Sequence, residues 1–596
     1  MSVKTYQVEV ADLEWYQKSI RCFYACPTHV NAGKYAFLIS EGRFAEAYRV
    51  IKERNPFPSV CGRVCHHPCE FVCKRQEEDE SIAINPLKRF IADYARDKKK
   101  SGTAFEKASL FWKKPAIDFQ KPKVAIVGSG PSGLTAAQDL AFLGYPVTVF
   151  EALPTPGGMM LTGIPSYRLP KEILAEEIQE ILDLGIELKV NTPIGKDLSL
   201  DGLKQKGYQA VYMAVGAQAS RRLSIEGTDL EGVLGGVEFL KDISLGRPPA
   251  IGKKVVVIGG GNVAVDVSLS ALRQGAEEVE MFCLEKREEM PAHEWEIEDA
   301  LEEEVKVNCS WGPMRFEGSK GTVTGVSFKR CTAVFDAEGR FNPSYDDNKT
   351  TSTSAETVIV AIGQAADLSF LGEGSSLETF RDIALKADEV TLETNLPGVF
   401  AGGDGVTGPK SVVEAIFHGH EAALSIDRYL KGEHLREGRV KEKEEPAPRP
   451  EDRVFEHKTR QQEKKLPTSE RKGNWKEISL GLTEEQAIEE AKRCMNCGYC
   501  CECLQCVEAC KAEAIDHEMK EQEVELNVGS LILAPGFDKF DPALRGEYGY
   551  GRLKNVVTSL EFERLLSASG PFQGHVGRLS DQKEPKRIAW IQCVGS

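Results

Sequence analysis

The feature that most constrains the fold is a repeat. "KPKVAIVGSGPSGLTAAQDLAFLG" (121–144) recurs as "GKKVVVIGGGNVAVDVSLSALRQG" (252–275), and each copy reads as a buried strand, a glycine turn and a helix of small residues. Gly128, Gly130 and Gly133 fit G-x-G-x-x-G in the first copy, and Gly259, Gly261 and Ala264 stand in the same places in the second. The first glycine permits the tight turn, the second lets backbone approach a pyrophosphate, and the third lets helix meet strand. The helix N-terminus then attracts phosphate charge. Alternating strand and helix patterns to about residue 430 predict an α/β fold of two tandem dinucleotide-binding domains with parallel sheets. A second echo links "AVYMAVGAQ" (210–218), "VIVAIGQAAD" (358–367) and "LILAPGFDKF" (531–540). Each is a buried-strand pattern ending at a glycine (Gly216 and Gly363 in the first two), as where backbone passes close to a cofactor.

Glycines alone could mark a tight strand–helix turn and nothing more. In the first copy, however, Glu151 ends the next strand, "PVTVFE", where a carboxylate can bind ribose hydroxyls. Farther on, "GVFAGGDGVTGPKSVVEAIFHGHEAA" (398–423) places Gly403 and Asp404 between a strand and a helix. That stretch resembles the second FAD motif of two-dinucleotide-binding flavoproteins, which gives FAD to the first site and NAD(P)H to the second. The candidate cofactor-binding residues are Gly128, Gly130, Pro131, Gly133, Glu151, Gly158, Gly216, Gly403, Asp404, Gly259, Gly261, Asn262, Ala264, Asp266, Glu285, Lys286, Arg287 and Gly363. In "FCLEKREEMPA", Glu285 suits a ribose 2′-hydroxyl and would repel a 2′-phosphate, whereas Lys286 and Arg287 would attract one. We favour NADH.

Seventeen cysteines need an explanation. Six fall at Cys22, Cys26, Cys61, Cys65, Cys69 and Cys73, and seven crowd between Cys494 and Cys510. No apolar run reaches membrane-span length, the N-terminus lacks a signal-peptide core, and a net charge of −16 argues against nucleic acid. A cytoplasmic setting disfavours disulfides, so two dense groups read as metal ligands. Cys500, Cys503, Cys506 and Cys510 give C-x2-C-x2-C-x3-C, which suits a [4Fe–4S] cube. Cys494 and Cys497 extend the same spacing upstream, so one or two clusters are expected there. Zinc modules favour two separated C-x2-C pairs and fit this run poorly. His66 and His67 read as solvent-facing, and Cys283, Cys309, Cys331 and Cys593 as isolated packing residues.

"CGRVCHHPCEFVC", "GSGPSG", "FEALPTPGGMMLTGIPSYRLP", "GGGNVAVD" and "GGDGVTGP" together resemble the small subunit of glutamate synthase and its relatives over about 15–430. From about 485 onward, "RCMNCGYCCECLQCVEAC" and "VGSLILAPGFDKFDP" are similar to the A-type, flavin-bearing component of heterodisulfide reductase. The final "IAWIQCVGS" implies a chain that continues past Ser596. The first resemblance implies an inner cluster on Cys26, Cys65 and Cys69 whose fourth ligand stays open, Lys88 falling where one relative has glutamine. It also implies an outer cluster that would use Cys22 and Cys73. The upstream C-x2-C pair of the relatives is absent from "DLEWYQKSIRC", so one N-terminal cluster is expected rather than two.

The expected domains begin with a helical iron–sulfur domain (1–100) and a linker (101–120). An FAD-binding domain in two segments (121–220 and 357–430) then encloses the NAD(P) domain (221–356). A charged linker (431–480), a ferredoxin-like module (481–520) and an incomplete flavin-domain fragment (521–596) follow. The expected activity is FAD-dependent NAD(P)H oxidation that passes electrons to clusters and a partner such as ferredoxin or a heterodisulfide reductase-like protein, with flavin-based bifurcation as one form. No side chain is needed as acid or base. The alternatives are a non-catalytic iron–sulfur scaffold and a glutamate synthase small subunit. Neither "GGMMLTGIPSYRLP" nor "LSALRQGAEEVEMF" carries a redox dithiol, so electrons reaching the flavin in pairs would leave singly.

Overall fold

The computed structural model describes residues 20–101, 115–195, 198–372, 376–381, 383–439 and 457–497, and most of 510–594. The chain forms two compact units, the larger spanning Gln17–Cys503 and the smaller holding the residues from Leu504 onward.

Within the larger unit, both glycine-turn repeats build the same parallel sheet. Lys123–Val127 lies central in a five-stranded sheet ordered Val399–Ala401, Tyr208–Met213, Lys123–Val127, Val147–Phe150, Glu187–Lys189. Lys254–Ile258 lies central in the second, ordered Val233–Gly235, Thr357–Val360, Lys254–Ile258, Glu278–Phe282, Lys306–Asn308. Four successive residues of each central strand are buried, as a parallel sheet covered on both faces requires. The first two members of the second echo, Tyr208–Met213 and Thr357–Val360, are the equivalent neighbours in the two sheets. One boundary is corrected: Thr357–Val360, assigned from the sequence to the FAD domain, pairs with Lys254–Ile258 and belongs to the nucleotide sheet. A three-stranded antiparallel sheet (Trp311–Ser319, Thr322–Phe335, Phe341–Ser354) is inserted before it.

Helices Ala32–Ser40, Phe44–Lys52, Pro58–Val64 and Ile84–Lys100 form the N-terminal layer around Tyr35, Leu38, Ile39, Ile51, Leu87 and Ile91. That core is completed from far along the chain by Leu482, Ala487 and Ala491. The last two lie on Glu484–Ala491, a helix opened by a Thr483/Gln486 capping box. Residues 457–480, expected to be a solvated linker, instead form a strap over the larger unit. Arg460 bonds Glu70 at 2.5 Å, Glu477 bonds Arg63 at 2.7 Å and Arg89 at 2.8 Å, and the Ile478 amide bonds the Tyr167 carbonyl at 3.0 Å. Read along the chain these charges look solvated, because their partners lie hundreds of residues away. Arg493, 2 % exposed, anchors the end of the strap through Glu490 (2.7 Å), Asp79 (2.9 Å) and the Glu80 carbonyl (2.6 Å).

In the smaller unit, Ser559–Leu566 is helical behind a Thr558/Glu561 capping box. The described residues of the third echo and of "EPKRIAWIQ" form no strand, and Ile532 is 90 % and Trp590 64 % exposed. Neither segment has a described strand beside it, and a strand without a partner cannot satisfy its edges. Arg493→Ala would leave Glu490 buried without its guanidinium. A loss of about 3–5 kcal/mol is expected, read as a lower urea midpoint of the larger unit with faster proteolysis between 457 and 497.

Candidate functional site

A cavity of ≈ 2070 Å³ runs between the carboxyl ends of the two sheets and is lined by both glycine turns. Small-molecule pockets usually measure ~300–1,000 Å³, so this space suits two dinucleotides. Gly128, Gly130, Pro131, Glu151, Gly158, Gly216, Gly403 and Asp404 line one side, and Gly259, Gly261, Asn262, Asp266, Glu285 and Gly363 line another. Gly133 and Ala264 sit in the helices behind the turns, whereas Lys286 and Arg287 lie outside the lining.

Local geometry explains the turn. Gly128 has φ +106°, and a Cβ there would stand 2.3 Å from the Ala214 carbonyl oxygen; at Gly133 a Cβ would stand 2.1 Å from the Gly128 carbonyl oxygen. Helices Pro131–Phe142 and Asn262–Arg273 begin at Gly130 and Gly261 without a side-chain cap, so their first amides are left for an anion in the cavity. Glu151, 4 % exposed, closes the first turn by accepting from the Ser129 amide (3.0 Å), the Ser129 hydroxyl and the Leu153 amide (2.8 Å). The Gly403 amide donates to His418 Nδ1 at 2.9 Å, and burial lowers the His418 pKa, which keeps that nitrogen an acceptor. Asp404 accepts from the Lys410 amide at 3.1 Å, and burial lifts its pKa from the usual 3.8 to about 7.

Asp266 lines the cavity and is also held by protein partners. It accepts from the Tyr167 hydroxyl (3.1 Å) and Arg168 (2.8 Å), while Arg168 also bonds Glu296 at 2.6 Å. This buried group ties the first dinucleotide domain to the second. Asn262 Oδ1 accepts from the His293 amide at 2.9 Å and so positions His293 at the start of the helix Glu294–Glu302 that carries Trp295. At the second turn Glu285 faces inward, its carboxylate 2.8 Å from a Cβ built on Gly260. Lys286 and Arg287 are taken up by Glu289 (3.1 Å) and Glu294 (2.5 Å).

Cys65 and His66 line the same cavity, so the cysteine-rich layer meets the nucleotide domains at its wall. His66 and His67 are half-buried rather than solvent-facing. His66 stacks on His293 (centroids 6.1 Å, 4°), His293 on Trp295 (4.4 Å) and His67 on Trp295 (4.7 Å). Burial lowers the pKa of both histidines and takes that of His293 to about 4, so the stack is neutral at pH 7. Behind Cys65, the thiols of Cys65, Cys61, Cys69 and Cys26 surround the buried Lys88. Burial works against its ammonium, and these four groups, once ionised to thiolates, outweigh burial and raise its pKa. Cys22 and Cys73 lie in the N-terminal layer, where Cys494 and Cys497 line the same small cavity. Cys500, Cys503, Cys506 and Cys593 lie outside the described residues; Cys510 accepts from the Ala514 amide at 3.4 Å. Cys283 is not isolated, since the Cys309 thiol beside it helps burial raise its pKa. Among the described residues no group of three or more His, Cys, Asp or Glu converges to hold a single metal ion.

The donors fit the expected groups: uncapped amides and acceptors where dinucleotides need them, and cysteines brought together in the N-terminal layer where a cluster needs thiolates. Two glycine-turn domains sharing one cavity, with a cysteine-rich helical layer at its wall, define an iron–sulfur flavoprotein that oxidises or reduces pyridine nucleotides. The chain belongs to the pyridine nucleotide-disulphide oxidoreductase family, whose model matches residues 122–419; residues 15–100 match the dihydropyrimidine dehydrogenase domain II, 4Fe-4S cluster model. It is 40% identical to the NADP(+)-dependent formate dehydrogenase subunit beta of Moorella thermoacetica, over 80% of this chain and 70% of that protein. It is 38% identical to the NADPH-Fe(3+) oxidoreductase subunit beta of Geobacter sulfurreducens (strain DL-1 / KN400), over 80% and 75%. The glutamate synthase [NADPH] small chain of Azospirillum brasilense is 33% identical, over 69% and 86%, in line with the resemblance read from the motifs. FAD, NAD(P)H and [4Fe–4S] clusters are therefore its cofactors.

Gly128→Ala places a methyl against the Ala214 carbonyl, and FAD affinity should fall at least tenfold, about 1.4 kcal/mol, in a flavin-release titration. Asp404 sets a pH dependence. Its proton is held more tightly in the folded chain, so its contribution to stability is full below the usual carboxylate range and is lost as pH rises through about 7. Thermal midpoints of the FAD-free chain should decline less over that interval in Asp404→Asn than in the wild type.

Proposed function

We propose that this protein takes electron pairs from NADH and delivers them one at a time, through clusters, to a partner subunit in the cytoplasm. FAD supplies the step between pairs and single electrons when bound. The chain's residues bind, orient and shield. The two uncapped helix N-termini hold the diphosphates, Glu151 and Asp404 meet the ribose and ribityl side, and the Arg168–Asp266–Glu296 group fixes one nucleotide domain against the other. The neutral His66–His293–Trp295 stack covers the cavity wall without adding charge. Single-electron exit must also release the proton that arrives with the hydride.

Cys65 carries the proposal: it belongs both to the cavity wall and to the buried thiol group around Lys88. We assign the inner cluster to Cys26, Cys61, Cys65 and Cys69, with Lys88 offsetting its negative charge. The absence of a cysteine pair from "GGMMLTGIPSYRLP" supports exit through this cluster rather than through a dithiol. The names of the relatives support a multi-subunit setting, two of them being beta subunits. The C-terminal residues similar to the flavin-bearing component of heterodisulfide reductase favour such a partner, with bifurcation between two acceptors, over a glutamate synthase. The glutamate synthase relative matches 69% of the chain against 80% for the beta subunits.

The relatives' names point to NADPH, but Glu285 points the other way. It faces the cavity where a ribose 2′-hydroxyl would lie, and both neighbouring cations are paired to carboxylates. Stopped-flow reduction of the oxygen-protected full chain should bleach flavin and cluster absorbance with NADH at a higher kcat/KM than with NADPH. Glu285→Gln should shift the NADPH/NADH ratio upward about tenfold, or about 1.4 kcal/mol. A chain that neither nucleotide bleaches would refute the electron-transfer role.

A further inference from the structure

The thiols of Cys22 and Cys73, from the N-terminal layer, and of Cys494 and Cys497, from the end of the strap, line one cavity of ≈ 50 Å³. We propose that these four cysteines hold a [4Fe–4S] cluster, so that two segments far apart along the chain share one centre. Nothing in the sequence groups them: 494–510 reads as a single run, and the upstream half of that run is drawn away by tertiary structure.

Independent observations support the grouping. Cys22, Cys73 and Cys494 also pack against one and the same apolar core of the N-terminal layer. Arg493 is locked on Glu490 and Asp79, and Arg75 donates to the Arg493 carbonyl at 3.2 Å, which fixes the backbone one residue before Cys494. Asn496, at φ +45°, turns the chain between Cys494 and Cys497 so that both reach the cavity. Arg21, Lys34, Lys74 and Arg75 also line it, a cationic setting for four thiolates. Four cysteines from two segments around one cavity suit the thiolate ligation of a [4Fe–4S] cube. Removing Cys494 and Cys497 from the downstream run costs it nothing, because Cys500, Cys503, Cys506 and Cys510 still make a complete C-x2-C-x2-C-x3-C set. The order of centres would then be FAD, the Cys65 cluster, and this one beyond it, since Cys26 and Cys22 lie one turn apart on the same segment.

The inference rests on reading residues 15–100 as an iron–sulfur module. The full chain is reconstituted without oxygen as wild type, Cys73→Ser, Cys494→Ser and the double variant, with Cys503→Ser marking the downstream run. Iron and FAD are counted, and dithionite-reduced samples are compared by electron paramagnetic resonance. Both single variants and the double variant should each lose the same about four iron atoms and the same spin component, while the component removed by Cys503→Ser persists. The proposal is overturned if the double variant loses twice the iron of either single one, if Cys494→Ser removes the Cys503 component, or if zinc occupies the site. Should serine cost the chain its FAD, Cys73→Asp and Cys494→Asp keep an anionic ligand and must shift one common component; shifts in separate components overturn the assignment. Wild type without any iron would instead defeat the iron–sulfur reading as a whole.

Discussion

One buried ionic group decides whether two separate nucleotide domains make a single working cavity. Arg168 leaves the first domain and meets Asp266 and Glu296 of the second, and the Tyr167 hydroxyl adds a further bond to Asp266. Removing charges from water is costly, and here it is offset by pairing, since Asp266 and Glu296 each accept from Arg168. Its value here is register more than stability. The pairing links residues of the two domains that carry the two nucleotide turns. The strap reinforces the same joint, because Trp475 packs beside Tyr167 and Ile478 bonds its backbone.

The dinucleotide domains are legible in the sequence because their signal is local. Gly128 and Gly259 each sit between a strand and a helix that begin and end within about two dozen residues, and the constraint on each is steric. The neighbouring strands ending near Gly216 and Gly363 can be matched in the same way. What stays hidden is whatever depends on distant partners. Arg168 lies in a recognisable motif, yet nothing nearby shows that its counter-ions are Asp266 and Glu296. Without them, Asp266 reads as a cofactor ligand. His293 and Trp295 carry no pattern at all, since their role arises only where one domain faces His66 of another.

The supposed linker has the same cause in a sharper form. Lysines, arginines and glutamates between 457 and 480 look solvated when read along the chain, because a charge run usually is. In the fold Glu477 bridges Arg63 and Arg89, and Arg471 is only 3 % exposed, held by Glu302 at 3.0 Å. Charge density therefore marks a docking segment rather than a spacer. The buried cysteines also follow this rule: spacing identifies metal chemistry, whereas the company each thiol keeps is set by packing.

The strap also imposes an order on biosynthesis. The N-terminal helices emerge first, but Leu482, Ala487 and Ala491 are needed to close their apolar core, and Arg75, paired locally with Asp79, also donates to the Arg493 carbonyl 418 residues downstream. At roughly 5–20 residues per second, that interval lasts about 20–80 s on the ribosome. Throughout it the N-terminal helices lack the three apolar side chains that complete their core.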